Sequence, residues 1–518
     1  MNISRRNLIR MLGAAVPAAA ITRAWGKNPL LSSLGTSNQP FQPTRESLAS
    51  YEIPEWFGNA KFGIWAHWGP QSAPEYGDWY ARNMYMQGSD QYAYHVKRYG
   101  HPSKFGFKDV IGTWKGERFD PDFLIGLYKK AGARYFMSMG VHHDNFDMWN
   151  SAHHRWNALR MGPKRDIVGE FRAAALRHGL KFAVSDHLWI SYKWFSTSHG
   201  HDATGPLSGV PYDGTDPRFA DLYHDTPKVY TDLTWDDTGI PEAWKITWHS
   251  RIKDLVDHYH PDLLYCDGAI PFDRYGLDIV AHLYNTNAAT HGGKTQAVYT
   301  SKRQQDAAVG TCVLDVERGV VDGIWPRPWQ TDTCIGDWHY NVRAVYKTPK
   351  TIVDMLVDIV SRNGNLMLNF PLPSSGMLDD KELAILAEIT DWMRVNSEGI
   401  YDTRPWKVFG TGPGSQTHTA GSSFNENKKP ELGSSDLRFT RKGNLLYVFF
   451  MGWPEGKLTL KGLGSGGPYD IGKFDRINLC GQEGNLEWNP TGSDLEIALP
   501  VTPPCKYGYA LRFTTSGV

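Results

Sequence analysis

Leu263-Leu264-Tyr265-Cys266-Asp267-Gly268 is a short apolar run that stops abruptly in a carboxylate and a glycine. An apolar run of this length, bounded by turn residues, reads as a buried strand. Upstream, residues 244–260 carry apolar side chains at helical spacing, and Pro261-Asp262 separates the two segments. Helix, short loop, buried strand and a terminal Asp-Gly make one unit of a β/α barrel. The C-terminal end of a barrel strand is where such folds carry their chemistry. An aspartate there can equally be structural, capping the next turn.

The same rhythm extends outward. Residues 61–68, 134–141, 180–185, 263–266, 297–300, 312–316 and 365–369 read as strands. Between and after them, residues 121–131, 165–178, 244–260, 349–361 and 380–395 read as helices. Strands alternating with helices of this length imply a parallel sheet, and seven or eight such units fit a closed barrel better than an open sheet. The fold class expected is α/β: a (β/α)8-type barrel over residues 45–402, then a C-terminal antiparallel β-sandwich over residues 403–518. The sandwich rests on short alternating runs at 445–450, 457–460, 494–499 and 507–513. Residues 195–243, rich in His, Gly, Asp and Pro, read as a long loop over the active face, and residues 409–436 as a surface loop.

Composition narrows the function. The 518 residues suit two or three domains, and 55 basic residues balance 55 acidic ones, so no basic field favours nucleic acid or an anionic membrane. The 20 Trp and 25 Tyr suit stacking on sugar rings, although they also fill large cores. Five cysteines with no CxxC pair form neither a metal-ligand spacing nor, being odd in number, a disulfide framework. Arg5-Arg6 ahead of an Ala-rich apolar stretch resembles a twin-arginine signal over residues 1–27, and an ordinary secretory signal is the alternative. Export of an already folded protein would suit unpaired thiols. The expected location is the periplasm or the medium, with no membrane insertion after signal removal, since no later apolar run is long enough to span a bilayer.

Polar residues gather where the strands end: His67, His142-His143-Asp144, Ser185-Asp186-His187, Asp267 and Asp315-Val316-Glu317. A barrel collects such groups around one pocket. Two reaction classes fit them. Metal-assisted hydrolysis would use His67, His142, His143, Asp144 and Asp267 as ligands. Glycoside hydrolysis would use two carboxylates, with His and Trp holding the sugar.

Several ordered blocks carry a resemblance. They are Trp56-Phe57 with residues 61–69 (KFGIWAHWG), Asp78-Trp79-Tyr80, residues 142–146 (HHDNF) with Trp149, residues 164–169 (KRDIVG), residues 361–369 (SRNGNLMLN) and residues 396–401 (NSEGIY). Together they resemble glycoside hydrolase family 29, the retaining α-L-fucosidases, from about residue 56 to residue 406. The resemblance implies that Asp267 is the nucleophile and that His67, His142 and His143 bind sugar hydroxyls. It implies that Trp79 forms an apolar wall and that Asp78 replaces a hydroxyl-binding glutamate with a shorter reach. His187 falls where the family has a Tyr-rich segment, and it and Arg303 are assigned to substrate binding.

The family's acid/base is a glutamate that shifts position between branches. Where one branch has Trp-Glu this chain has Trp329-Gln330, and glutamine cannot exchange a proton. Glu317, downstream of Arg303 as in the other branch, is therefore the expected acid/base, with Asp315 and Asp332 in reserve. Its carboxyl should lie about 5–5.5 Å from that of Asp267. No metal and no cofactor is implied. The expected substrate is a glycan bearing terminal α-L-fucose. An exo-α-L-galactosidase on an algal-type polysaccharide, by the same mechanism, and a non-catalytic sugar-binding barrel are the alternatives. The oligomeric state is not implied.

Overall fold

The computed structural model describes residues 40–415, 423–426 and 431–516; the twin-arginine segment lies outside them. Eight parallel strands form one sheet: β1 (Phe62–Ala66), β2 (Tyr135–Val141), β3 (Lys181–Asp186), β4 (Leu263–Cys266), β5 (Val298–Ser301), β6 (Val313–Leu314), β7 (Trp329–Cys334) and β8 (Gly364–Asn369). Their order is β6-β5-β4-β3-β2-β1-β8-β7. All but Lys181 of these strand residues are buried, as expected for a parallel sheet covered on both faces. The barrel closes between β6 and β7 without a ladder. A single bridge, Asp315 to Gln330, joins them, and the Val316 N–H donates to the Gln330 carbonyl at 2.9 Å.

Helices follow the strands where the periodicity places them. Pro121–Lys130 starts with proline at its first position and is capped by the Asp120 carboxylate, which accepts from the Phe123 N–H. Asp380–Asn396 carries a full capping box between Asp379 and Glu382. Seven strands appear within one or two residues of expectation, although β6 is only two residues long. The sequence reading missed β7 and the helix Arg274–Thr290. β7 reads Trp-Gln-Thr-Asp-Thr-Cys, with no apolar run, because its buried polar side chains pair with polar groups of neighbouring segments. The helix was obscured by Gly276 in its first turn and by the Asn- and Thr-rich sequence of its last.

After the barrel, β9 (Arg404–Thr411), β10 (Leu437–Lys442), β11 (Leu445–Phe450), β13 (Phe474–Leu479) and β16 (Tyr509–Thr515) form an antiparallel sheet ordered β13-β16-β11-β10-β9. β12 (Leu458–Leu460), β14 (Trp488–Thr491) and β15 (Asp494–Ile497) form a second. Side chains of both sheets share one core that includes Phe439, Val448, Leu460, Ile497 and Phe513. This is the sandwich the alternating runs predicted. It docks on the barrel through Arg438, whose Nε donates to Asp358 Oδ1 at 2.6 Å beside Arg362. All five thiols are free, four of them buried. No helix among the described residues is long and apolar enough to cross a membrane.

Candidate active site

The ends of β1 to β8 surround a cavity of about 210 Å3, lined by His67, Asp78, His142, His187, Asp267, Lys302, Glu317 and Asp332, with Trp65, Tyr265 and Trp338 as its aromatic walls. Asp267 follows β4 directly, and its backbone is held on both sides. Its N–H donates to the Asp186 carbonyl at 3.0 Å, and its carbonyl accepts from Trp189 Nε1 at 2.8 Å. Gly268 is required at the next position: its φ is +149°, and a Cβ there would sit 3.1 Å from the Trp189 indole nitrogen.

Glu317 lies just past β6, 4 % exposed. The Lys302 ammonium, at the end of β5, stands 2.9 Å from Asp267 Oδ1 and 2.6 Å from Glu317 Oε2. Both oxygens touch one nitrogen, so their separation is no more than these two distances laid end to end. Retaining pairs stand about 5–5.5 Å apart, whereas inverting pairs stand about 6.5–9.5 Å apart. Asp332 Oδ2 is 3.6 Å from the same ammonium and accepts from the Tyr265 hydroxyl at 3.0 Å. Burial opposes the charge on Lys302, but the surrounding carboxylates, Asp267 foremost, hold its pKa well above the usual lysine value. Behind it, burial and the neighbouring Asp332 push the Asp315 carboxyl well above the carboxylate range.

The histidines form the opposite wall, and their hydrogen bonds assign their protons. Gln71 accepts from the Ala81 N–H through Oε1, so its amide donates to His142 Nδ1 at 2.8 Å and leaves the His142 proton on Nε2. His339 donates from Nδ1 to Asp78 Oδ1 at 2.7 Å, leaving Nε2 as a buried acceptor with no hydrogen-bond partner. His143 donates from Nδ1 to the His187 carbonyl and places Nε2 3.3 Å from Asp267 Oδ2. His67 sits at the centre, its ring 4.7 Å from that of His339, with both nitrogens buried and unpartnered. Burial, reinforced by the neighbouring rings, drives the pKa of His67 and His142 well below the usual histidine value. The neutral rings therefore offer donors and acceptors side by side, which is what sugar hydroxyls require.

His67, Asp78, His142 and His339 also place one potential ligand atom each within 4.8 Å of one another. Their proton assignment suits a metal poorly, because His142 presents N–H to that space and a ligating imidazole needs its lone pair.

The expected site residues are thus distributed unevenly. His67, Asp78, His142, His187, Asp267 and Glu317 line the cavity, and His143 touches Asp267 from behind. Trp79 does not line it; half-buried at φ +62°, it packs edge-on against His143, with ring centroids 6.3 Å apart. Arg303 is exposed at the start of the short helix Gln304–Ala308, and its neighbour Lys302 points inward in its place. Asp144 is buried outside the lining, its pKa pushed up to about 7 by desolvation. Gln330 is a core group: its amide donates to Asp315 Oδ1 and accepts from the Tyr135 hydroxyl, each at 2.9 Å. Sequence reasoning missed Lys302, Trp65, Tyr265, Trp338 and His339; the inward alternation along β1 and β4 was the available signal for Trp65 and Tyr265. Trp235, from the stretch 195–243, lies 5.6 Å from His143 and so covers this wall, as expected of that loop.

The chain is similar to known proteins over most of its length. The family model for Alpha-L-fucosidase matches residues 30–398, and that for the Alpha-L-fucosidase C-terminal domain matches residues 431–514. Human plasma alpha-L-fucosidase is 27 % identical over 499 residues, covering 92 % of each chain. Rat tissue alpha-L-fucosidase is 26 % identical over 486 residues, covering 91 % of each. In fold, the chain is similar to Thermotoga maritima alpha-fucosidase solved with fucose, at a TM-score of 0.69 and 24 % identity, covering 91 % of this chain and 100 % of that one.

Proposed function

The chain belongs to the α-L-fucosidase family of glycosidases, glycoside hydrolase family 29, and from that premise we propose that it is an exo-acting retaining hydrolase releasing terminal α-L-fucose from glycans. One observation carries the mechanism: Asp267 and Glu317 are held by the same ammonium, at a spacing that suits direct attack and leaves little room for an intervening water. Asp267 attacks the anomeric carbon as Glu317 gives its proton to the departing oxygen, which leaves as an alcohol. A fucosyl ester of Asp267 results. Glu317, now a carboxylate, takes a proton from water as that water attacks the same carbon. Fucose departs with its configuration retained, and both carboxyl groups return to their starting states.

The unpartnered nitrogens of His67 and His339 support hydroxyl recognition, and Asp78 presents a carboxylate among them. The cavity is lined mostly by polar and titratable side chains at the strand ends, which supports capture of one terminal sugar. Residues 45–402 then act as the catalytic unit and 403–518 as its companion. The Arg5-Arg6 segment exports the folded enzyme through the twin-arginine route.

The test compares p-nitrophenyl α-L-fucoside with the α-L-galactoside for wild type, Asp267→Ala and Glu317→Ala. Wild type turns over the fucoside, and Asp267→Ala loses about 10³-fold or more. Azide restores turnover by Glu317→Ala with retention and by Asp267→Ala with inversion. Turnover of the galactoside alone would replace the sugar and keep the mechanism. No turnover of either by wild type would return the sugar-binding barrel.

A further inference from the structure

The loop carrying Glu317 is secured on one side by β7. Val316 and Arg318 donate their N–H groups to the carbonyls of Gln330 and Asp332, at 2.9 and 2.8 Å. The Thr331 hydroxyl bridges the carbonyls of Val316 and Gly319, 2.7 Å from each. Its other side would be an open edge, since β6 ends at Leu314. Residues 423–426, expected to be part of a surface loop, occupy that edge instead. The Phe424 N–H donates to the Glu317 carbonyl at 2.8 Å, and the Glu426 N–H to the Arg318 carbonyl at 3.0 Å. Asn425, 1 % exposed, pairs in both directions with the backbone of Val320, at 3.0 Å each way. The Glu426 carboxylate reaches Arg318 Nε at 2.6 Å and Thr333 Oγ1 at 2.7 Å. Arg318 and Phe424 are both in the left-handed region, at φ +47° and +59°. Such strain persists where the surroundings over-determine the backbone, and here two backbone and several side-chain bonds do so.

We propose that residues 423–426 form a strap that positions the acid/base, with Asn425 and Glu426 acting through the backbone of 317–320 to aim the Glu317 carboxyl at the leaving oxygen. The inference rests on the assignment of Glu317 made above. Asn425 and Glu426 are not among the residues lining the cavity; they are positioning residues. A displacement of about 1 Å in an acid can cost on the order of 10²-fold in rate.

The test is kcat/KM, which reports the fucosylation step, on two aryl α-L-fucosides. The 2,4-dinitrophenyl group leaves with little help from an acid, whereas phenyl needs the proton. The quantity read is the loss on phenyl divided by the loss on dinitrophenyl, so the second substrate corrects for any change in folded fraction. For Glu317→Ala this ratio is about 10² or more. For Asn425→Ala and, separately, the conservative Glu426→Gln it is about tenfold. A ratio near one for both strap variants, whether activity falls equally on the two substrates or does not fall, overturns the strap while Glu317 stands. A ratio near one for Glu317→Ala overturns the acid/base assignment itself, and the strap inference with it.

Discussion

An ammonium in contact with both Asp267 and Glu317, and 3.6 Å from Asp332, compensates charge that the buried site could not otherwise hold. Its removal has a definite sign. In Lys302→Met the carboxylates lose the cation that favours their ionised forms, so both limbs of the pH–rate bell for kcat/KM move to higher pH, by about one unit or more. The fall in kcat/KM near neutral pH is then partly recovered in alkaline buffer. An unmoved bell would show that Lys302 does not control the charge of the pair. The sequence pointed to the neighbouring residue, Arg303. Successive side chains at a strand end face opposite ways, so an error of one position exchanges the cavity for solvent. Asp267, His142 and His143 were legible because polar groups interrupt apolar strands abruptly there. His339 was not, because it lies in a loop after β7 and owes its place to Asp78, far away in the chain.

The seam between β6 and β7 shows why one element escaped the sequence. Periodicity reports burial against apolar neighbours, and β7 is buried against polar ones: Gln330 against Asp315 and Tyr135, Thr331 against two loop carbonyls, Thr333 against Glu426. Strands such as β1 and β4, whose own side chains are mostly apolar, were read within one or two residues of their bounds. The seam's dependence on hydrogen bonds is testable. Thr331→Val keeps shape but leaves the carbonyls of Val316 and Gly319 without their buried donor, a loss of about 1–3 kcal/mol in denaturant unfolding. Thr331→Ser, which keeps the hydroxyl, retains most of the stability. Equal stability in the two variants would mean that the carbonyls find other donors.

At the scale of the whole chain, the barrel and the sandwich were legible as two textures, helical alternation and then short strands. What joins them was not. The docking of Arg438 on Asp358 and of residues 423–426 on the seam depends on distance in space, which local composition does not encode. That second contact sets a timetable for synthesis. Arg318 meets Glu426 across 108 positions of chain. A polypeptide still on the ribosome therefore owns both carboxylates and every barrel strand well before it owns the brace across the seam. Competence toward unactivated fucosides then arrives late, once residues beyond 426 have cleared the exit tunnel. Chains stalled at increasing lengths should show a step there, and a step at the end of the barrel would mean that the newborn enzyme needs no brace.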